Sequence, residues 1–398
     1  MSSAGVPPTH ARNVDEAVSR YGPLGRAWVD GLWQGDPLAD AFVSDAFELG
    51  RSPAMRMFRA AIEGGITSVD SPPESLVALF AEVDAVPAWV DFEQLDRAGD
   101  HLARNGLQLG LVLAAASLMV GYTNPAAAYP LILTGRLVDH AGVRNLEVGD
   151  WLREVTTHGG MRRDGLGFER TVRVRVIHAM VRRHVAGRPE WNEAVLGIPV
   201  SQPYMAHTLS EFGVIALDGM DLLGARYTAS ELDDIYALWR YVGHLSGVND
   251  ALLPVDESGQ RSIQELYQLT RPPVDDDSRA LVAGLVNDYL VPEVAELFPA
   301  RMPAARHVAT SSVNGLIRAV VGDDLADELG IEESRLKHGV PMLGHLTAAT
   351  YAVTERRPGG KARRVERGRA YRAEQEQRLR TKYAMEHDLV DAAPPDAR

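Results

Sequence analysis

Residues 166–185 carry arginines and histidines inside a largely apolar run, and this segment constrains the fold more than any other. As an α-helix it places four polar residues on one stripe, because they are spaced i, i+4, i+7 and i+11. These residues are Thr171, Arg175, His178 and Arg182. The other positions are mostly apolar, which predicts a helix buried on most sides. Residues 172–176 alternate as a strand would, but the length and flanks of the segment favour a helix.

Two guanidiniums and an imidazole on a buried stripe need partners, because unpaired buried charge is costly. Protein carboxylates are the commoner partners. The other candidate is a ligand with two carboxylates and a metal, which describes b-type haem. His178 would then ligate the iron while Arg175 and Arg182 pair with the propionates. The Arg-x2-His-x3-Arg spacing alone does not decide between these two interpretations.

The composition is that of an ordinary globular protein and excludes several kinds of site. The chain has 398 residues, 45% of them hydrophobic, and a formal net charge of −13, which disfavours non-specific nucleic-acid binding. It contains no cysteine. Disulfides, zinc–thiolate sites, iron–sulfur clusters, a thiolate haem ligand and covalent c-type haem are therefore excluded.

The pattern of start and stop signals predicts a single all-α domain, since strand signals are nearly absent. Asp36-Pro37 and Asn124-Pro125 pair a capping residue with a proline at a helix start, and residues 228–231 resemble a capping box. Long helices are expected over residues 91–120 and 204–223. The longest apolar run, residues 107–121, is too short to span a bilayer and is interpreted as a buried core helix.

The predicted organisation is an N-terminal extension (1–30), a helical domain (31–355) and a basic arm or tail (356–398). Residues 356–382 carry eleven Lys or Arg and three Glu. They are either an arm that touches an acidic surface or membrane, or a solvated helix with frayed ends, which charge patterning favours. The N-terminus has no export signal, which predicts a cytoplasmic protein; a secreted protein whose signal had been removed would look the same.

Several further segments occur in an order that is fairly specific as a set. They are residues 35–40 (GDPLAD), 86–91 (VPAWVD), 117–122 (SLMVGY), 133–137 (LTGRL), 173–183 (RVRVIHAMVRR), 199–202 (PVSQ), 238–248 (LWRYVGHLSGV) and 322–326 (GDDLA). Over about residues 30 to 350 the chain resembles the family of haem oxygenases that includes latex clearing proteins (bacterial rubber oxygenases) and the fungal oxygenase that cleaves the prenyl chain in mycophenolic acid biosynthesis.

The resemblance implies an all-α protein with a globin-like core around one b-type haem held by a single proximal histidine. It assigns His178 as that ligand. It also implies that Arg175 and Arg182 orient the propionates or support the ligand helix. Thr208 falls near a haem-pocket threonine of the family, and Arg318 matches a further family arginine.

On the distal side the chain departs from the rubber oxygenases. Arg144 matches the first residue of their Arg-x2-Lys-Thr motif, whereas Glu147 and Val148 replace the lysine and threonine. Arg144 and Glu147 are the candidate catalytic residues, and a surface carboxylate on a helix is the alternative for Glu147. The catalytic glutamate of rubber oxygenases would fall at residues 126–128, which are alanines here.

The function that the resemblance implies is oxidative cleavage by O2 of a carbon–carbon double bond in an isoprenoid or other lipophilic substrate. The expected partners are a small lipophilic molecule or a polyisoprenoid, O2 and an electron donor for the haem, with no nucleic acid, no stable membrane insertion and a monomeric state. The alternatives are hydroxylation or peroxide-dependent oxidation on the same haem, a non-catalytic haem or lipophile carrier, and a structural or regulatory helical protein without cofactor.

The remaining histidines are assigned simpler roles. His244 lies in an apolar helix and is expected to be a hydrogen-bonded core residue. His207 either lines the pocket or is a buried hydrogen-bonding group. His140 and His158 are expected at the surface.

Overall fold

The computed structural model describes residues 6–134, 141–299, 302 and 304–382, with the backbone alone over 141–145. Every regular element within these residues is helical, which confirms the all-α class. The α-helices of the first half are Val14–Tyr21 (α1), Pro23–Gly31 (α2), Pro37–Leu49 (α3), Arg51–Gly64 (α4), Glu74–Val83 (α5), Phe92–Ala103 (α6), Gly106–Val112 (α7), Leu118–Gly121 (α8), Pro125–Leu133 (α9), Ala141–Val155 (α10) and Leu166–Ala186 (α11).

The α-helices of the second half are Glu193–Leu196 (α12), Gln202–Phe212 (α13), Val214–Leu222 (α14), Ala229–Leu245 (α15), Glu257–Thr270 (α16), Asp276–Gly284 (α17), Val291–Ala295 (α18), Ala305–Val321 (α19), Asp323–Glu328 (α20), Val340–Glu355 (α21) and Gly360–Lys382 (α22). Two π-helical turns, Leu113–Ser117 and Leu285–Leu290, and two 3-10 turns, Ile66–Ser68 and Arg335–Gly339, complete the regular structure.

The chain forms two compact units, each assembled from three segments. Unit 1 comprises Met1–Arg97, Trp151–Leu209 and Tyr236–Thr270. Unit 2 comprises Ala98–Asp150, Ser210–Ile235 and Arg271–Arg398. Neighbours in space within a unit are therefore often far apart in sequence.

Three phenylalanines in contact fill part of the core of unit 1 and join α3, α4 and α5. The rings of Phe42 and Phe58 are 5.6 Å apart, and those of Phe58 and Phe80 are 6.0 Å apart. All three side chains are fully buried. Because α3 also packs on α11, this core fixes the start of α3 beside the helix that carries His178.

The capping residues predicted from the sequence begin the helices as expected. The Asp36 carboxylate accepts a hydrogen bond from the Ala39 N–H, and the Asn124 amide oxygen accepts one from the Ala126 N–H. At the start of α15 the Thr228 hydroxyl and the Glu231 carboxylate each accept the other's backbone N–H. The capping box is thereby confirmed.

The long helix predicted over residues 91–120 is wrong, because the chain bends by 81° between α6 and α7. At this bend Arg104 and Asn105 turn their side chains into the interior of unit 2. Arg104 donates to both carboxylate oxygens of Glu231, and Asn105 donates to the hydroxyl of Tyr227. The helix predicted over 204–223 is likewise broken, at Gly213.

Residues 107–121 form the largely buried helix that the sequence predicts, with Leu107 and Gly110 exposed. A π-helical turn interrupts it at Leu113–Ser117, which widens the helix by one residue. π-turns are rare and occur often at functional sites. There the Ser117 hydroxyl donates to the Glu211 carbonyl at 2.6 Å.

The basic arm is an ordered helix, α22, held against acidic residues of unit 2. Arg369 pairs with Asp100, Arg380 with Asp150, and Lys382 with Glu293. Arg364 is buried and donates to the Asn105 side chain at 2.6 Å. Most residues of α22 are exposed, as expected for a solvated helix, but several of its basic side chains also pair with acidic residues of unit 2. The frayed ends stay a prediction.

In the part of the chain that the structure describes, no single helix is long and apolar enough to cross a membrane. One bent pair, Phe92–Ala103 with Gly106–Gly121, meets the criteria of length and composition.

The ion pair of Arg104 and Glu231 makes the stability of the protein depend on pH. Burial by itself raises the pKa of Glu231, but hydrogen bonds from Arg104 and from the Thr228 N–H, with the charge of Arg104, outweigh it and lower the pKa from 4.5 to about 2. The stabilisation is therefore complete above pH 4.5 and is lost as the pH falls towards 2.

We expect this group to reduce the free energy of unfolding by on the order of 2 kcal/mol across that range. Urea unfolding at several pH values measures it, and Glu231→Gln is expected to flatten the pH dependence. Glu257→Gln, which alters an exposed pair with Arg261, serves as the control and should keep the wild-type slope. An unchanged slope in Glu231→Gln would show that the pair does not link folding to pH.

Candidate functional site

The segment that alternates arginine with valine is helical throughout and forms α11, as predicted. Three of the four residues of its polar stripe, Thr171, Arg175 and Arg182, are buried. His178, the fourth, is partly exposed. The Thr171 hydroxyl donates to the Gly167 carbonyl and accepts a hydrogen bond from the Trp151 indole N–H at 3.1 Å. The polar stripe therefore faces the interior of unit 1.

Arg175 is held by two carboxylates. Its Nε and Nη2 donate to the two oxygens of Asp36 at 2.6 and 3.0 Å. Its Nη1 lies 2.7 Å from a carboxylate oxygen of Glu82. The Arg175 side chain is 2% exposed and that of Asp36 3%. Burial by itself lowers the pKa of Arg175, but the hydrogen bonds and charges of Asp36 and Glu82 reverse this and raise it, so the guanidinium stays charged.

Gln202 joins the chain segments that surround this ion pair. Its amide nitrogen donates to the carbonyls of Gly35 and Gly247, both at 2.8 Å. Its amide oxygen accepts from the Asn249 N–H, also at 2.8 Å. A Cβ at Gly247 would lie 2.2 Å from an Asp36 oxygen, so no larger residue fits there. Residues 35–40, 199–202 and 238–248, three of the segments noted in the sequence, thus meet at Gln202.

Arg182, two stripe positions after Arg175 on α11, is held in a similar way. It pairs with Asp40, and its Nη2 donates to the Val200 carbonyl at 3.0 Å. Val200 has a φ of +50°, a conformation that is strained for a β-branched residue. The contact with Arg182 is one of the interactions that hold the loop before α13 in this shape.

In this structure protein carboxylates balance the positive charges of Arg175 and Arg182. Of the two roles that the resemblance implies, support of the ligand helix agrees with the contacts, because both guanidiniums already bind acidic side chains. Contacts of Arg175 and Arg182 with propionates stay a prediction.

His178 lies between the two anchored arginines. Its Nδ1 atom is buried, so whatever exposure the residue has belongs to its other atoms. Metal-bound histidines in proteins use one ring nitrogen for the metal and direct the other into the protein. The placement of His178 fits that arrangement, with Nε2 as the candidate ligand atom.

Thr208 and His207 lie on α13, also in unit 1. Thr208 is exposed and donates to the Tyr204 carbonyl at 3.0 Å. The His207 ring is buried, stacks on Tyr267 with centroids 3.6 Å apart, and its Nε2 lies 2.5 Å from the Gln264 side-chain oxygen. Of the two alternatives for His207, a pocket-lining residue or a buried hydrogen-bonding group, the contacts agree with the second. The role of Thr208 towards a cofactor stays a prediction.

His158 lies at the surface, as the sequence suggests, whereas His244 is only partly buried and its expected hydrogen bond stays a prediction. His244 is partly buried beside the rings of Trp89 and Tyr241, and burial lowers its pKa. His158 is exposed, while His140 lies outside the described residues.

Glu147 lies on α10 within unit 2 and is only 9% exposed. The alternative of a surface carboxylate is therefore wrong, because the fold buries this position. Of Arg144 only the backbone is described, as part of α10, and its side chain lies outside the described residues. A catalytic role for either residue stays a prediction.

Arg318 also belongs to unit 2 and already has several protein partners. Its guanidinium donates to Asp323 at 3.0 Å and pairs with Asp327 and Glu333. It also donates to the carbonyls of Glu332 and Ile331. These bonds fix the loops around α20, and they account for this buried arginine without a cofactor.

One cluster of possible metal ligands lies elsewhere in unit 1. Glu93, Asp96 and His158 approach one another closely enough to share an ion. Arg162 donates to Glu93 at 2.7 Å and to Asp96 at 2.9 Å. The arginine already supplies the positive charge that an ion would bring, so this cluster is a surface ion pair.

The Arg175–Asp36 pair is expected to dominate the stability of unit 1. Asp36→Asn removes the charge from a buried pair, and breaking such a pair costs about 3 kcal/mol or more. Asp40→Asn is the matched control, because Asp40 is 36% exposed and its loss should cost about 1 kcal/mol or less. Urea unfolding of both variants measures the difference; equal effects would contradict the account.

The chain is similar to known oxygenases in sequence and in fold. The family model described as "ER-bound oxygenase mpaB/B'/Rubber oxygenase, catalytic domain" matches residues 103–353, more than half of the chain. The solved structure of the latex clearing protein LCP in the closed state superposes with a TM-score of 0.65. That likeness covers 85% of this chain and 91% of the other at 17% identity, and so concerns the fold.

No curated protein matches the chain. The match to the family model covers the whole of α11, including His178, and the all-α fold agrees with it. The chain therefore belongs to the family of mpaB-type and rubber oxygenase catalytic domains, a family of oxidoreductases.

Proposed function

We propose that the protein is a haem b-dependent oxygenase that uses O2 to cleave a carbon–carbon double bond of an isoprenoid or another lipophilic substrate. The observation that carries the proposal is the position of His178 on α11. The arginines on either side of it in the stripe, Arg175 and Arg182, are both anchored by carboxylates. Family membership supports the oxygenase class.

The residues present fit a b-type haem. His178 offers one imidazole whose Nδ1 is buried, and Nε2 is the candidate ligand atom. The sequence has no cysteine, which excludes a thiolate ligand. When bound, the haem would supply the iron on which O2 is activated.

The support around His178 would keep the imidazole in one orientation. Asp36 and Glu82 hold Arg175, and Gln202 ties Asp36's loop to Gly247. A side chain that is fixed before binding loses less conformational entropy when it binds a metal. Arg175, Arg182, Asp36 and Gln202 are thus positioning residues.

A carboxylate that is removed from solvent is suited to hold or move a proton. Glu147 is buried in unit 2, and we assign it this role towards the substrate. Thr208 is a candidate hydrogen-bonding group towards the haem on the resemblance, and its hydroxyl donates to the Tyr204 carbonyl here. The roles of Arg144 and Arg318 in substrate or cofactor binding are proposed on the resemblance alone.

A lipophilic substrate agrees with a group of apolar side chains in unit 2. Leu118, Leu131 and Ile132 are only partly buried and pack on the apolar cluster formed by α8, α9 and α17–α19. Apolar surface of this kind binds hydrocarbon by excluding water.

The proposal is tested by the haem content and the products of protein expressed with ample haem. Wild type is expected to show a Soret band and to convert an isoprenoid alkene under 18O2 into two carbonyl fragments, each with one labelled oxygen. His178→Ala should lower the haem content by more than about tenfold and abolish the products. His244→Ala, a second partly buried histidine of unit 1, is the control and should retain the haem.

Retention of the full haem content in His178→Ala would refute the ligand assignment. Products without label would refute cleavage by O2, whereas haem binding without any product would indicate a carrier.

Glu147→Gln tests the proton-transfer role, because the amide keeps the size of the side chain and loses the carboxylate. We expect the rate of product formation to fall about a hundredfold, with an unchanged haem content. Glu154→Gln alters another buried carboxylate of α10 and should leave the rate within about twofold of wild type. A wild-type rate in Glu147→Gln would remove Glu147 from the mechanism.

A further inference from the structure

Helix α21 presents an apolar face to the solvent. Within this helix of 16 residues only Gly344 is buried. Met342, Leu343, Leu346 and Val353 are 66%, 61%, 60% and 56% exposed. Their spacing places them along one side of the helix, and Leu336 in the preceding 3-10 turn is 50% exposed as well. We call these five residues the α21 face.

The opposite side of α21 is fixed to the rest of unit 2, so the helix cannot roll to bury this face. A Cβ at Gly344 would lie 2.0 Å from the Leu222 carbonyl oxygen, which means that the two backbones touch. The Tyr351 hydroxyl accepts a hydrogen bond from Gln108 at 2.8 Å. The Arg364 guanidinium lies 3.5 Å from the centre of the Tyr351 ring.

The α21 face itself carries no acidic residue. Glu333, just before it, pairs with Lys337, and Glu355, just after it, pairs with Arg364. Residues 335–354 contain no aspartate or glutamate, although the whole chain carries a net charge of −13. Exposed basic residues flank the face at both ends: Arg335 before it, and Arg356 and Arg357 after it. An exposed apolar stripe with cationic ends complements a surface that is apolar inside and anionic outside.

We propose that the α21 face docks on the surface of a lipid bilayer that contains anionic headgroups. The four apolar side chains of the helix would enter the boundary between headgroups and acyl chains, while Arg335, Arg356 and Arg357 contact lipid phosphates. The helix would lie in the plane of the surface, because 16 residues are too few to span the hydrocarbon core.

A second copy of the chain is a poorer occupant of this face. A two-fold contact of α21 with itself would bring cationic ends of the two copies together, with no acidic residue in 335–354 to balance them. The inference rests on this face alone and is independent of the proposed oxygenase activity.

Co-sedimentation of the full chain with vesicles tests the proposal. We expect binding to phosphatidylcholine vesicles that contain phosphatidylserine, weaker binding to phosphatidylcholine alone, and a decrease with added salt. Met342→Ser/Leu343→Ser/Leu346→Ser should weaken binding at least about tenfold. The control Val77→Ser/Val255→Ser/Leu297→Ser, which removes three exposed apolar residues elsewhere, should bind like wild type.

A single-site probe keeps the test decisive if the triple variant folds poorly. Because the chain has no cysteine, Leu346→Cys accepts a polarity-sensitive fluorophore at one position, and Val255→Cys is its control. A blue shift on anionic vesicles is expected for Leu346→Cys alone. The proposal is overturned if wild type does not bind anionic vesicles, if both labelled sites respond alike, or if the face instead forms a dimer that the triple variant dissociates.

Discussion

The ion pair between Arg175 and Asp36 is the interaction on which the arrangement of unit 1 depends. A guanidinium that is 2% exposed tolerates burial only because a carboxylate meets it with two hydrogen bonds. Asp36 also caps α3, so the same carboxylate begins one helix and fixes another. The approach of Gly247 and the hydrogen bonds of Gln202 depend on this geometry in turn.

This constraint separates residues that support a site from residues that would act in it. Arg175 and Arg182 bind protein carboxylates, and Arg318 binds acidic residues of unit 2. His178 differs from them, because it lies on the same stripe between anchored neighbours and keeps part of its surface exposed. In this chain the contacts of Arg175 and Arg182 support α11, and His178 is the candidate for chemistry.

The sequence predicts the helices well where the signals are local. The periodicity of residues 166–185 identifies α11 and its buried stripe, and the capping box at Thr228 marks the start of α15. The partners of the buried charges were beyond such reasoning. Asp36 precedes Arg175 by 139 residues, and no local pattern reports a contact over that separation. The bend before Gly106 likewise depends on Arg104 reaching Glu231 in a distant segment.

The same limit applies to the candidate site. The local sequence around Glu147 is compatible with a surface carboxylate. The residue is nevertheless buried, because unit 2 packs over it. The π-turn at Leu113–Ser117 and the role of Gln202 were not anticipated, since no sequence signal announces either. The sequence therefore indicated His178 as the candidate ligand, whereas the supporting roles of Asp36 and Gln202 could be assigned only from the structure.

The central claim is that α11 presents His178 to a haem iron. The most direct measurement is the UV–visible spectrum of the purified wild-type protein, oxidised and then reduced with dithionite, with and without CO. The account predicts a Soret band that shifts when CO is added to the reduced protein. A spectrum without a Soret band, from protein expressed with ample haem, would contradict it.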